Sequence, residues 1–290
     1  MEFIKKLVEK KGPEESDYDA LHLEIERIGS MLDQPSPAIL YGDLLDIISP
    51  VLSVETMQGF AFHKPHGYSG DYEIIDKIYR NWKSTQEDLR RWDEFFHAQQ
   101  APIAVRNRKR FFLDTLESCK DDGDELRVLN VGSGPGRDML EFFQKYPDTD
   151  ISFDCVDYDK ESIAYASELC STYLDRIRFF HKNVFRFTPD RKYDIIWSAG
   201  LFDYLDDRKF VYLLVKLRAY LATGGRLIIG NFSNRNPTRK YMELFGKWFL
   251  YHRSEQELAA LAKAAGVPEE QVTVYCEPLG VNLFLHLGHA

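Results

Sequence analysis

The sequence predicts an α/β fold, a mostly parallel sheet closed by an antiparallel hairpin on residues 127–290, preceded by a helical stretch over residues 1–126. Three observations predict it. From Arg127 onward, apolar runs of strand length alternate with segments of helical spacing, the order of successive βα units. At the first junction, Val131-Gly132-Ser133-Gly134-Pro135-Gly136-Arg137, glycine stands at every second position between an apolar run and an amphipathic one, so strand, tight turn and helix follow in order. The runs 272–277 and 281–286 are separated only by Pro278-Leu279-Gly280, too few residues for a crossover helix, and must pair antiparallel.

Composition sets the class. At 290 residues and 44% hydrophobic, the chain can bury one large or two modest cores and is neither disordered nor fibrous. Residues 1–12 alternate lysines with Phe3, Ile4, Leu7 and Val8, too short and too charged for a signal peptide. No apolar run approaches the roughly 18 residues of a membrane span. The four cysteines, Cys119, Cys155, Cys170 and Cys276, are far apart, with no CxxC pair and no histidine spacing that suggests a metal site. They read as reduced packing residues of a cytoplasmic protein.

Taken in order, the first part is helical. Tyr18–Leu32 carries apolar residues at Leu21, Leu23, Ile25, Ile28 and Leu32, and Pro35-Ser36-Pro37 breaks the chain before a second helix over Ala38–Ile48. Pro65, Gly67 and Gly70 forbid a regular helix in His63-Lys64-Pro65-His66-Gly67-Tyr68-Ser69-Gly70-Asp71-Tyr72-Glu73. Ser69 is the N-cap candidate for a helix through Ile74, Ile78 and Trp82, and further helices are expected over 86–99 and 103–119.

In the second part, strands are expected at 127–132, 151–157, 177–183, 193–199 and 225–231, with helices at 138–145, 160–173 and 207–221. Residues 237–251 and 254–265 also read as helical. The first 126 residues hold 16 Lys+Arg against 25 Asp+Glu, whereas the remainder balances at 21 and 21. A boundary therefore falls at the acidic run Asp121-Asp122-Gly123-Asp124-Glu125. A nucleic-acid enzyme would carry a basic face; the run Arg106-Asn107-Arg108-Lys109-Arg110 opens a helix and reads as a solvated face, so nucleic acid is not the expected partner.

Glycines permit positive φ and close approach of backbone to a ligand. A dinucleotide fingerprint would read GxGxxG, but the spacing here is GxGxG, which resembles motif I of the class I S-adenosylmethionine (SAM) methyltransferases. That resemblance implies a Rossmann-like sheet and SAM as cofactor, met by Asn130, Gly132, Ser133, Gly134, Gly136 and Asp138. Asn130 departs from the acid most often found two residues before the first glycine. Asp157, 21 residues past Gly136 at a strand end, is placed to accept hydrogen bonds from both ribose hydroxyls, with Tyr158 beside it, whereas Asp159 suits a helix cap. At the next strand end, Asn183 and Val184 stand where the family meets adenine, although an unliganded strand-end Asn fits the spacing as well. The small residues Ser198, Ala199 and Gly200 let backbone approach the methionine part of SAM.

The flanks carry a closer resemblance. His63–Glu73, the Ala104-Val105-Arg106-Asn107-Arg108 segment, Trp248-Phe249-Leu250-Tyr251-His252-Arg253 and Pro278–Phe284 look like the bacterial methyltransferases grouped with 3-hydroxypalmitic acid methyl ester synthase. The resemblance implies methylation of the carboxylate of a fatty or other small organic acid, with residues 1–126 as a helical cap. Arg106, His63, His66 and Tyr68 are the acceptor-side candidates. A carboxylate needs no base; a phenol or amine acceptor would use His63 or His66 as general base. A SAM-binding regulatory protein without turnover is the reading from another class.

Overall fold

The structure, a computed structural model, describes residues 1–32, 38–119 and 125–288, and for 38–40 the helix alone. The Pro35-Ser36-Pro37 break and the Asp121–Asp124 marker lie outside the described residues.

The first helices are α1 (Glu2–Glu9), α2 (Tyr18–Leu32), α3 (Ala38–Ile48), α4 (Met57–His63), α5 (Tyr72–Tyr79), α6 (Glu87–Ala98) and α7 (Gln100–Glu117). The lysine-rich start is itself a helix, with Ile4 and Leu7 buried and its lysines on the other faces. α5 begins later than Ser69 would set it. Gly70, at φ +72°, turns the chain, and Asp71 becomes the N-cap, its carboxylate accepting from Glu73 N and Ile74 N at 2.9 Å each.

Among the described residues one sheet of seven strands forms from β1 (Leu126–Val131), β2 (Ile151–Asp157), β3 (Ile177–His181), β4 (Tyr193–Ser198), β5 (Leu221–Phe232), β6 (Val272–Cys276) and β7 (Asn282–Gly288). Its order is β3-β2-β1-β4-β5-β7-β6, parallel except that β7 runs antiparallel to both neighbours. The connecting helices are α8 (Arg137–Lys145), α9 (Lys160–Leu169), α10 (Asp207–Arg218), α11 (Arg239–Gly246) and α12 (Glu255–Ala264). The strand order reverses between β1 and β4, which opens a crevice at their carboxyl ends, the position where open α/β sheets hold ligands.

Both faces of the sheet are covered, so its central strands read as apolar runs rather than alternations. Leu129, Val131, Ile196 and Ile229 pack with Phe210 and Leu214 of α10 and Leu258 of α12. Val128, Phe153, Ile195 and Trp197 pack with Phe112 and Leu116 of α7 and Phe142 and Phe143 of α8.

Two compact units form, one of 1–103 with 237–249, the other of 104–236 with 250–290. Charge places a boundary at Arg127, but packing groups most of α7 with the sheet, because Phe111 stacks on Phe284 at 4.0 Å and Phe112 on Trp197 at 4.5 Å. Among the described residues no helix is long and apolar enough to cross a membrane.

Candidate active site

β1 carries Asn130 and Val131, both buried, to the reversal of strand order, and the glycine loop follows. Gly132, Gly134 and Gly136 have φ of +65°, +59° and +72°, a region that costs other residues roughly 1–2 kcal/mol. They are glycines for different reasons. A Cβ on Gly136 would lie 3.1 Å from Ala166 Cβ and 3.2 Å from Met139 Cε, so α8 and α9 close in on it. A Cβ on Gly134 would meet nothing within 4 Å, so that position leaves backbone facing open space.

The loop is clamped to the end of β2. Gly132 N donates to Val156 O at 2.8 Å, Gly134 N donates to Asp157 Oδ2 at 3.1 Å, and Ser162 Oγ of α9 donates to Gly134 O at 3.1 Å. Asp157 Oδ1 accepts from Asp159 N at 3.0 Å, and Asp159 in turn caps α9 by accepting from Glu161 N. Burial raises the Asp157 carboxyl above its ordinary value, against the pull of the two amides. A carboxylate has about four acceptor sites, so Asp157 retains capacity for a ligand.

Two buried polar atoms beside the loop make no hydrogen bond, Asn130 Nδ2 and Ser133 Oγ. Native interiors satisfy such groups, so each marks a place for a polar ligand or a water. Asp138 is also buried, in the first turn of α8, where it accepts from Met139 N at 2.9 Å; burial pushes its carboxyl up to about 6.

The other strand ends are more local in character. Asn183 is exposed and its Oδ1 accepts from Phe185 N at 2.9 Å, a turn made by its own side chain, while Val184 is buried. Tyr158 is exposed, and its carbonyl accepts from His181 Nε2 at 3.0 Å. Ser198 is fully buried and donates to Val131 O at 2.9 Å, tying β4 to β1; Ala199 is buried and Gly200 exposed.

His63, His66 and Tyr68 belong to the helical unit. His63 Nε2 donates to Leu52 O at 2.7 Å; a carbonyl can only accept, so the proton sits on Nε2. His66 Nε2 donates to Glu73 Oε2 at 2.9 Å, and Lys77 pairs with Oε1 of the same carboxylate at 2.9 Å. Tyr68 is exposed on the loop that follows. Arg106 belongs to the sheet unit, half-buried, with its guanidinium pKa drawn down by burial.

The sequence reading missed Arg108 and Asp203. Arg110 is solvated, but Arg108 is not: Ala104, Arg108, Phe112 and Leu116, spaced by four, form one buried stripe of α7. That spacing was the available signal. Asp203 is buried just past β4 and accepts from Phe232 N at 2.6 Å; burial pushes its carboxyl up to about 6, with Arg108 and Arg253 pulling it back.

The family model described as a methyltransferase domain matches residues 128–225, which run from β1 into β5. Malonyl-[acyl-carrier protein] O-methyltransferase 1 of Ilyobacter polytropus is 27% identical over 135 residues, 42% of this chain and 48% of that protein. The chain spans about half the length of the curated relatives it matches. Among solved structures, a possible exported protein from Bordetella parapertussis superposes with a TM-score of 0.66 over 94% of this chain and 96% of its own, at 15% identity. The magnesium protoporphyrin IX methyltransferase of Synechocystis, solved with bound SAH (S-adenosylhomocysteine), superposes with a TM-score of 0.53 over 74% and 94%, at 12% identity.

Proposed function

We propose, from the premise that this chain carries a class I SAM-dependent methyltransferase domain, that it transfers a methyl group from SAM to the carboxylate oxygen of a small organic acid. The observation that carries the cofactor reading is the open backbone of Gly134, held at the crevice by Asp157. Bound there, SAM supplies a methyl group already activated by its sulfonium. The chain's own part is to hold, orient and exclude water. Asp157 would take the ribose hydroxyls on its remaining acceptor sites. Asn130 and Ser133 would complete their unmet hydrogen bonds on the amino-acid tail. Asn183, Val184 and Tyr158 are proposed for the adenine side.

The acceptor reading rests on chemistry and likeness. A carboxylate is ionised at neutral pH and reacts without a base. The relative named above acts on a malonyl group, whose free oxygen nucleophile is a carboxylate. Residues 1–126 are proposed to govern acceptor choice, with Arg106, His63, His66 and Tyr68 as its polar groups. The His66–Glu73 pair favours a second reading, since a carboxylate that orients an imidazole is also the support a general base uses. Under that reading the acceptor is a phenol or an amine. A reducing, cytoplasmic location is part of the proposal, because among the described residues the four cysteines are unbridged. Incubation of the full chain with methyl-labelled SAM and a panel of carboxylic acids, phenols and amines tests it: methyl esters are the expected product. SAM binding with no labelled product from any class would instead fit a regulatory protein.

A further inference from the structure

Arg108 is 6% exposed, on the stripe of α7 that packs against the sheet. Among the described residues its guanidinium donates no hydrogen bond and forms no ion pair. Asp203, an acid whose charge it feels, is engaged by Phe232 N. A guanidinium carries five N–H donors in a planar fork and stays charged. With the residue as a whole buried and no acceptor on the fork, the position suits an anion from outside the chain.

The direction of the fork identifies where that anion sits. Its Nη2 and Nη1 lie 3.7 and 3.9 Å from the point where a Cβ on Gly200 would stand. Gly200 is exposed and follows Ser198, which is bonded to Val131 at the root of the glycine loop. In the neighbouring strand, Asn130 pairs in register with Trp197. The Asn130 amide from β1 and the Arg108 fork from α7 thus bracket the β1–β4 crevice. We propose that Arg108 binds the carboxylate of the cofactor's methionine tail, a positioning contact that fixes the tail over Gly200. This rests on the SAM reading of the glycine loop. The acceptor's own carboxylate has the same chemistry, and the test separates the two sources.

Titration calorimetry on the full chain measures S-adenosylhomocysteine against 5′-methylthioadenosine, which shares the nucleoside and lacks the amino-acid tail. Arg108→Met is expected to weaken the first by about 10–100-fold and leave the second within about twofold, the loss of one charge-assisted bidentate contact. Arg108→Lys should fall between, since it keeps the charge without the fork. Unchanged S-adenosylhomocysteine affinity in Arg108→Met overturns the proposal, and a simultaneous loss of octanoate binding would assign the residue to the acceptor. Equal loss of both nucleosides in both variants also overturns it, by making Arg108 a packing residue. A wild-type chain that binds neither nucleoside defeats the cofactor reading itself, a result distinct from binding that is indifferent to Arg108.

Discussion

The amide of Gly134 and the carboxylate of Asp157 meet at 3.1 Å across 23 residues of chain, so the tip of the glycine loop is tied to the end of β2. Replacing Asp157 by Ala removes the acceptor of both Gly134 N and Asp159 N. The expected result is a loss of about 2–3 kcal/mol in SAM affinity, with a lowered melting temperature. Asp157→Asn should keep the loop and lose part of the affinity. Calorimetry that finds wild-type SAM affinity in the Ala variant removes the ribose from this position.

The glycines should separate by experiment. Gly134→Ala has room for its Cβ and bears only the strain of φ +59°, roughly 1–2 kcal/mol, whereas Gly136→Ala adds contacts of 3.1 and 3.2 Å to the strain of φ +72°. Urea unfolding should therefore rank Gly136→Ala below Gly134→Ala in stability. The opposite rank would mean that α8 and α9 do not close on Gly136.

Phe112 is fully buried and stacked on Trp197. Phe112→Ala should cost about 3–5 kcal/mol, while Arg110→Ala, two residues away on a solvated face, should stay within about 0.5 kcal/mol. Denaturant midpoints compare them directly. A fragment that begins at Glu125 would lack the aromatic cover of Trp197 and Phe284 and should bind apolar dyes strongly.

Asp203, pushed up to about 6 from an ordinary 3.8, holds its proton more tightly folded than unfolded. Its contribution to stability is present below the unfolded value and is lost as pH rises through about 6, at most about 3 kcal/mol across that window. Asp203→Asn keeps an acceptor for Phe232 N and cannot ionise. Its stability should hardly decline between pH 4 and 6 relative to wild type, read as the difference of two thermal-melt series; parallel declines would mean that Asp203 titrates normally.

The pH profile of single-turnover methyl transfer distinguishes the two acceptors. A carboxylate acceptor predicts a rate that is flat from about pH 6 upward, with His63→Ala and His66→Ala acting mainly on substrate binding. A phenol or amine acceptor predicts a rising limb near pH 6.5 that disappears in one histidine variant together with roughly 10²–10⁴ of the rate. The second pattern would overturn the carboxylate reading.

The sheet was legible because several strand ends coincide with residues of fixed conformational meaning: the three glycines after β1, Asp157 at the end of β2 and Asp159 after it, Pro278 and Gly280 before β7. Less visible was anything decided by which way a side chain turns. Asn183 satisfies its own turn, Asp71 takes the cap in place of Ser69, and Arg108 lies on a buried stripe although its neighbours Lys109 and Arg110 form ion pairs, that of Arg110 at the surface. Local charge density pointed one way and helical phase the other. Phase prevailed, because Phe112 and Leu116 fix the rotation of α7.

The position of β7 sets an order of events during folding. It is made after β6 yet lies between β5 and β6, with Leu285 facing Ile229 on one side and Val274 on the other. Without β7, β6 has no native neighbour, because β7 alone pairs with it. The hairpin must then arrive as a unit on an edge of β5 that is twelve residues long and already apolar. Until that moment the chain carries an open strand edge, the kind of surface that recruits strands from other chains. A chain cut after β6, at residue 277, should therefore aggregate more than the full chain.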